Sequence, residues 1–130
     1  MAMVSFVDES TAGARSPAWA MEIFEERLPL RELIKRRVYQ EVAEYNAAQS
    51  DVFRGLVQPT DTEVALNGFR MTTPRRIDPR PQYELALTAF SRNGFVVLVD
   101  DRQVEELDDV VELRRDTEVA FLKLVPLVGG

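Results

Sequence analysis

The chain has 130 residues and a mass of 14.8 kDa, and with 45% hydrophobic and 29% charged residues it suits one globular domain with a true core. It contains no Cys and no His, which excludes thiolate and imidazole nucleophiles, disulfides and the usual zinc ligand sets; chemistry is left to carboxylates, hydroxyls, Lys35, Lys123, the backbone or the chain ends. Sixteen basic against 22 acidic residues, a net charge of -6, oppose nucleic-acid binding and favour solubility and basic partners.

Met3, Val4, Phe6 and Val7 read as a short first strand. Met1 to Asp8 shows no cationic flank, long apolar stretch or cleavage pattern of a targeting segment. Asp8 to Pro17 collects the loop formers Asp, Ser, Thr, Gly and Pro. Trp19, Met21 and Ile23 then alternate with Ala20, Glu22 and Phe24 as a second strand, antiparallel to the first. Pro29 opens a helical period, with Leu30, Leu33, Ile34, Val38, Val42 and Tyr45 on one side and Arg31, Lys35, Arg36, Glu41 and Glu44 on the other. Lys35-Arg36-Arg37 reads as a solvated helix face in preference to a docking patch for an acidic partner.

From Ala47 to Arg80 the periodicity weakens and prolines gather, with Asn67-Gly68 as a turn candidate and Val64 to Leu66 as a short edge strand. This stretch reads as an insertion or long loop, suited to partner recognition or to packing over a core edge. Pro81 to Arg92 restores helical spacing through Tyr83, Leu87 and Phe90, and Gly94 in Asn93-Gly94 supplies the left-handed stop. Phe95 to Val99 is a buried strand, far too short to span a bilayer, and no membrane association is expected. Val110 to Leu113 is a short strand and Glu118 to Leu124 the last one. Helices interrupting a mainly local sheet predict an α+β domain.

Asp100-Asp101 and Asp108-Asp109 are carboxylate pairs of the kind that hold metals or move protons. Their flanks match no calcium-loop spacing, and they read as solvated turns. The most informative stretch is Leu124-Val125-Pro126-Leu127-Val128-Gly129-Gly130, directly after a predicted strand. With Asn93 to Val99, Leu113 to Phe121 and the order of elements, it resembles the β-grasp family of ubiquitin-like proteins. The likeness is greatest to the prokaryotic sulfur carriers of molybdopterin and thiamine biosynthesis and to bacterial ubiquitin-like modifiers. The family commonly has an acidic-glycine turn before its last strand, where Asp116 stands here in place of Gly.

The resemblance implies a β-grasp mixed sheet on a central helix. Residues 1–124 form a single domain, an insertion at about 48–92 carries a second helix, and 125–130 are a flexible diglycine tail. It implies a carrier that is not itself an enzyme and binds no cofactor or metal. A ubiquitin-activating-type enzyme uses ATP to adenylate Gly130, which becomes a thiocarboxylate for a sulfur acceptor enzyme or is joined by an isopeptide bond to target-protein lysines; a deubiquitinase-like peptidase could reverse the latter. Gly129 and Gly130, lacking Cβ atoms, suit entry into a narrow channel; Val125, Leu127 and Val128 supply apolar docking contacts, and Pro126 lowers the entropy lost when the arm becomes extended. Phe121 is a candidate partner contact as well. The cytoplasm is the expected location. The other reading is a non-covalent β-grasp interaction module with a passive tail, Gly129-Gly130 being a frayed end.

Overall fold

A computed structural model of the chain describes residues 2–48, 51–60, 62–65, 68–71 and 75–124. In chain order it contains β1 (Ala2–Ser10), β2 (Trp19–Ile23), β3 (Arg27–Pro29), α1 (Leu30–Ala48), β4 (Val52–Phe53), β5 (Thr62–Ala65), β6 (Gly68–Met71), α2 (Pro79–Ser91), β7 (Phe95–Val99), β8 (Arg102–Val104), β9 (Val110–Glu112) and β10 (Glu118–Lys123). This is an α+β chain with a mixed sheet and two helices. It groups into two compact units, Met1–Glu32 with Phe90–Gly130, and Leu33–Ala89. The division between the two units falls inside α1, so most of that helix groups with the stretch that follows it.

The first unit holds a five-stranded sheet in the order β2-β1-β10-β7-β8. β1 and β10 are parallel, with Phe6 beside Val119 and Asp8 beside Phe121, and the remaining pairs are antiparallel. Successive strand residues point to opposite faces. Val4, Phe6, Ile23, Phe95, Val97, Val119 and Phe121 accordingly share one face, where all are buried. Phe6 lies between Trp19 at 4.9 Å and Phe121 at 6.1 Å, and Phe121 also meets Phe95 at 6.0 Å. Burying each such side chain is worth about 1.5–3 kcal/mol.

β8 is absent from the sequence reading because its three residues, Arg-Gln-Val, carry no alternation. What forms it is the turn before it. Val99 pairs with Arg102, leaving Asp100-Asp101 as a two-residue loop with φ of 47° and 68°. Two consecutive positive φ values define the type I′ turn, whose twist matches that of the strands it joins. At the end of α2 the left-handed residue is Asn93, with φ 60°, not Gly94 as the sequence suggests. Asn reaches this conformation more readily than most residues, and its N–H donates to Phe90 O at 3.1 Å to close the last turn.

β3 and β9 form a two-stranded ladder that buries Leu28 and Val111. It also sets the start of α1: the N–H groups of Leu30 and Arg31, which have no partner inside the helix, donate to Asp109 O and Leu107 O at 2.9 and 3.0 Å.

In the second unit, Leu33, Ile34, Val38, Val42 and Tyr45 of α1 are buried as their spacing predicts, and Tyr45 meets the buried Phe53 edge-on at 5.5 Å. The described residues between 51 and 89 are not a long loop. They form a three-stranded sheet in the order β4-β6-β5, with β5 at an edge, followed by α2. Leu66 and Asn67, part of the expected edge strand and turn, lie outside the described residues. Gly55 is required by close approach, since a Cβ there would overlap the Phe53 ring. The buried stripe of α2 is Gln82 and Ala86, one residue out of step with the expected Tyr83 and Leu87, and the Gln82 amide donates to Val57 O at 2.7 Å. Asn46 on α1 bonds both backbone groups of Ile77, accepting from its N–H at 2.9 Å and donating to its O at 3.0 Å.

The expected solvated face of α1 is corrected at two positions. Arg37 is 2% exposed and pairs with Glu41 at 3.2 Å, while the other Glu41 oxygen accepts from the Leu56 N–H at 3.3 Å. Lys35 lies over the rings of Tyr39 and Tyr83, at 5.6 and 6.0 Å. A helical period cannot distinguish a solvated cation from one whose carboxylate partner is buried one turn later. Breaking a buried pair leaves the other charge uncompensated, so Glu41→Ala should lower the unfolding free energy by about 3–5 kcal/mol, and Arg37→Met with Glu41→Leu should lose much less. Urea melts of the three proteins test this.

Candidate functional site

β10 occupies the centre of the five-stranded sheet and ends at the candidate carrier segment. It is entered through a turn at Arg114–Thr117, where the Thr117 hydroxyl accepts from the Arg114 N–H at 2.7 Å and the Thr117 N–H donates to Arg114 O at 3.2 Å. Asp116 sits in this turn without a positive φ, so the turn does not need the glycine of the family pattern. Beyond Lys123 the pairing with the start of β7 continues by one bond, from the Leu124 N–H to Gly94 O at 3.1 Å. Lys123 approaches Asp8 on the neighbouring strand at 3.8 Å. Chain leaving Leu124 therefore starts from a position tied on both sides, in the middle of the sheet. Val125, Pro126, Leu127, Val128, Gly129 and Gly130 lie outside the described residues. Phe121, expected as a partner contact, is fully buried between Phe6 and Phe95 and is a core residue.

The two carboxylate pairs serve the fold. Asp100 accepts from the Glu118 N–H through its side chain at 2.9 Å and donates its own N–H to Glu118 O at 2.9 Å, tying the β7–β8 turn to the start of β10. Asp108 pairs with Arg31 at 2.7 Å, and Asp109 accepts from the Glu106 N–H at 3.2 Å. The latter pair borders an open depression of about 700 Å³ that also touches Phe90, Asn93 and Glu105. Among the described residues no group of three or more His, Cys, Asp or Glu could hold a metal ion. No helix of the described residues is long and apolar enough to cross a membrane.

One charged cluster was not legible in the sequence. Arg15, in the loop after β1, places its Nε 3.1 Å from Glu9 and its Nη2 2.6 Å from Glu118. The Glu118 hydrogen bond and charge, against an opposing effect of burial and with lesser contributions from Glu9 and Asp101, hold the guanidinium above its ordinary pKa. Burial likewise pushes the Tyr45 phenol up in the second unit. Arg15 and Glu118 are 103 positions apart, and no local pattern connects them.

Comparison with protein-family models, curated proteins and solved structures finds no match to the chain.

Substitutions at two positions test the framework. Phe121→Ala should cost about 3–5 kcal/mol of stability, the penalty of a core cavity, measured by denaturant unfolding. Asp101→Val should cost about 1–2 kcal/mol, because a β-branched residue resists the left-handed conformation, whereas Asp101→Gly should be neutral or stabilising.

Proposed function

We propose that this chain is a β-grasp carrier of the ubiquitin-like kind, whose Gly130 carboxylate is activated by a partner enzyme at the expense of ATP. The observation that carries the reading is the strand order. Taken alone, β1, β2, β7, β8 and β10 are five strands in spatial order 2-1-5-3-4, with the first and last parallel at the centre. That arrangement, with a helix later in the chain than the first hairpin, supports the β-grasp reading. The last strand leads directly into Val-Pro-Leu-Val-Gly-Gly.

A carboxylate is a poor electrophile until one oxygen becomes a leaving group. In the proposed step the Gly130 carboxylate attacks the α-phosphorus of ATP and pyrophosphate departs, giving an acyl adenylate. Hydrosulfide or an amine then attacks the carbonyl, expels AMP and loses a proton, leaving a thiocarboxylate or an amide. The carrier supplies no side-chain nucleophile, which is compatible with a chain that has neither Cys nor His. Val125, Pro126, Leu127 and Val128 would dock in the activating enzyme's channel, with Gly129 and Gly130 at its narrow end. A sulfur acceptor enzyme or target lysines, and in the latter case a deubiquitinase-like peptidase, complete the set of partners, in the cytoplasm.

The non-covalent module is the second reading. It is favoured by the exposure of Phe24, at 71%, and of Met3, at 52%, at one end of the β1–β2 pair.

Intact-mass measurement on protein isolated from its native host distinguishes the outcomes. A sulfur-for-oxygen exchange at Gly130 or a branched peptide on a target lysine is expected, and both should vanish when Gly129 and Gly130 are deleted. Adducts that persist after this deletion would overturn the carrier reading. An unmodified Gly130, with partner binding that survives the deletion, would establish the non-covalent module.

A further inference from the structure

The outer face of the five-stranded sheet, opposite the Phe6–Phe121 core, carries its own apolar row. The strand register aligns Val7, Ala120 and Leu98 across three strands and sets Leu122 and Val96 beside them. Val96, Leu98 and Leu122 are half-buried, yet Val7 and Ala120 are only 3% and 4% exposed. Arg15 reaches the two carboxylates that flank this pair. Glu9 lies two residues beyond Val7 on β1, and Glu118 two residues before Ala120 on β10, so the carboxylates stand diagonally across the Val7–Ala120 pair. One guanidinium bonds both of them and so lies between them, along the diagonal that crosses that pair.

Its path is built into the β1–β2 loop. The loop reverses at Gly13, whose φ of 88° suits glycine, and Arg15 comes back into bridge pairing with Glu9. Ser16 then fastens to Asp8, donating its N–H to Asp8 O at 2.9 Å and accepting from the Asp8 N–H through Oγ at 3.0 Å.

The charges on this face do not balance. Its described strand residues include Glu9, Glu22 and Glu118 and no cation, and Asp101 adds a third carboxylate to those acting on Arg15. The unit as a whole has eight Arg and Lys against fifteen Asp and Glu. Arg15 is itself half-exposed, so its pairs are screened and exchangeable.

We propose that this face is a docking surface for a partner protein segment that presents a Leu- or Val-sized side chain next to Arg or Lys, and that Arg15 is the internal competitor covering it. The partner's cation takes over Glu9 and Glu118, Arg15 swings out on its loop, and the partner's apolar side chain takes its place over Val7 and Ala120 beside Leu98 and Leu122. Charge complementarity selects a basic segment, and the apolar row selects one that is also hydrophobic. The proposal does not rest on the carrier reading.

The test is a backbone-amide NMR titration of the full chain with an acetylated, amidated Leu-Arg-Leu-Arg-Leu-Arg peptide. Peptides with Glu in place of Arg, and with Ser in place of Leu, serve as controls. Shifts should centre on Val7, Leu98, Ala120 and Leu122, weaken with salt, and appear with neither control. Arg15→Ala, checked for an otherwise unchanged spectrum, should bind about twofold to fivefold more tightly, the fold-change that corresponds to loss of an exposed competing ion pair. Glu9→Gln with Glu118→Gln should bind more weakly, and deletion of Gly129 and Gly130 should change nothing. Shifts elsewhere or none, equal binding of either control, or Arg15→Ala binding no more tightly would each overturn the proposal.

Discussion

The parallel pairing of β1 with β10 is the constraint from which the first unit follows. Parallel neighbours cannot be joined by a tight turn and need a long connection. Here that connection is nearly the whole chain, since Phe6 lies beside Val119. Closing so large a loop costs entropy, which is offset only when the buried faces of both strands meet. β2 then pairs on one side of the central pair, and β7 with β8 on the other. Phe6, Phe121 and Phe95 form a continuous row across this junction, so the aromatic core and the central pairing stand or fall together. The same pairing brings Glu9 and Glu118 within reach of one arginine, and it delivers the chain at Leu124 from the middle of the sheet instead of from an edge.

Charge is distributed unevenly between the two units. The first carries fifteen acidic and eight basic residues, the second seven and eight. The overall charge of -6 thus belongs to the first unit, whose strand ends and turns hold most of its carboxylates. Many of them have structural work. Asp100 ties a hairpin to β10, Asp108 pairs at the start of α1, and Glu112 pairs with Arg27 across the β3–β9 ladder at 3.1 Å. The second unit uses charge differently: Arg37 and Glu41 are paired in a buried setting, where geometry must be good for the pair to be tolerated.

Elements with a clean period were legible in the sequence. β2 and β10 alternate, β1 and β7 are short apolar runs, the apolar side of α1 repeats at three and four, and α2 carries the same signal with its buried stripe one residue out of step. β3, β4 and β8 were not legible because two or three residues cannot display a period, and β6 because its four residues begin at a glycine and include an arginine. These strands exist because partners reach them, as β8 is created by the Asp100-Asp101 turn and β3 by β9. Of the candidate site, the Val125–Gly130 motif and the strand preceding it were visible in the sequence. The burial of Phe121 was not, because alternation places a residue on a face without saying which face is inside.

The α+β class, the apolar side of α1, the main strands and the lack of thiol and imidazole groups could all be read along the chain. These are properties of composition and of short-range period, which a linear reading carries in full. Which strands are neighbours, the parallel pairing of β1 with β10, the interior position of Arg37 and the meeting of Arg15 with Glu9 and Glu118 come from the folded arrangement. Each of those depends on contacts between residues far apart in the chain. Their free energy comes from burial and charge pairing after the chain has closed, and nothing local to either partner announces it.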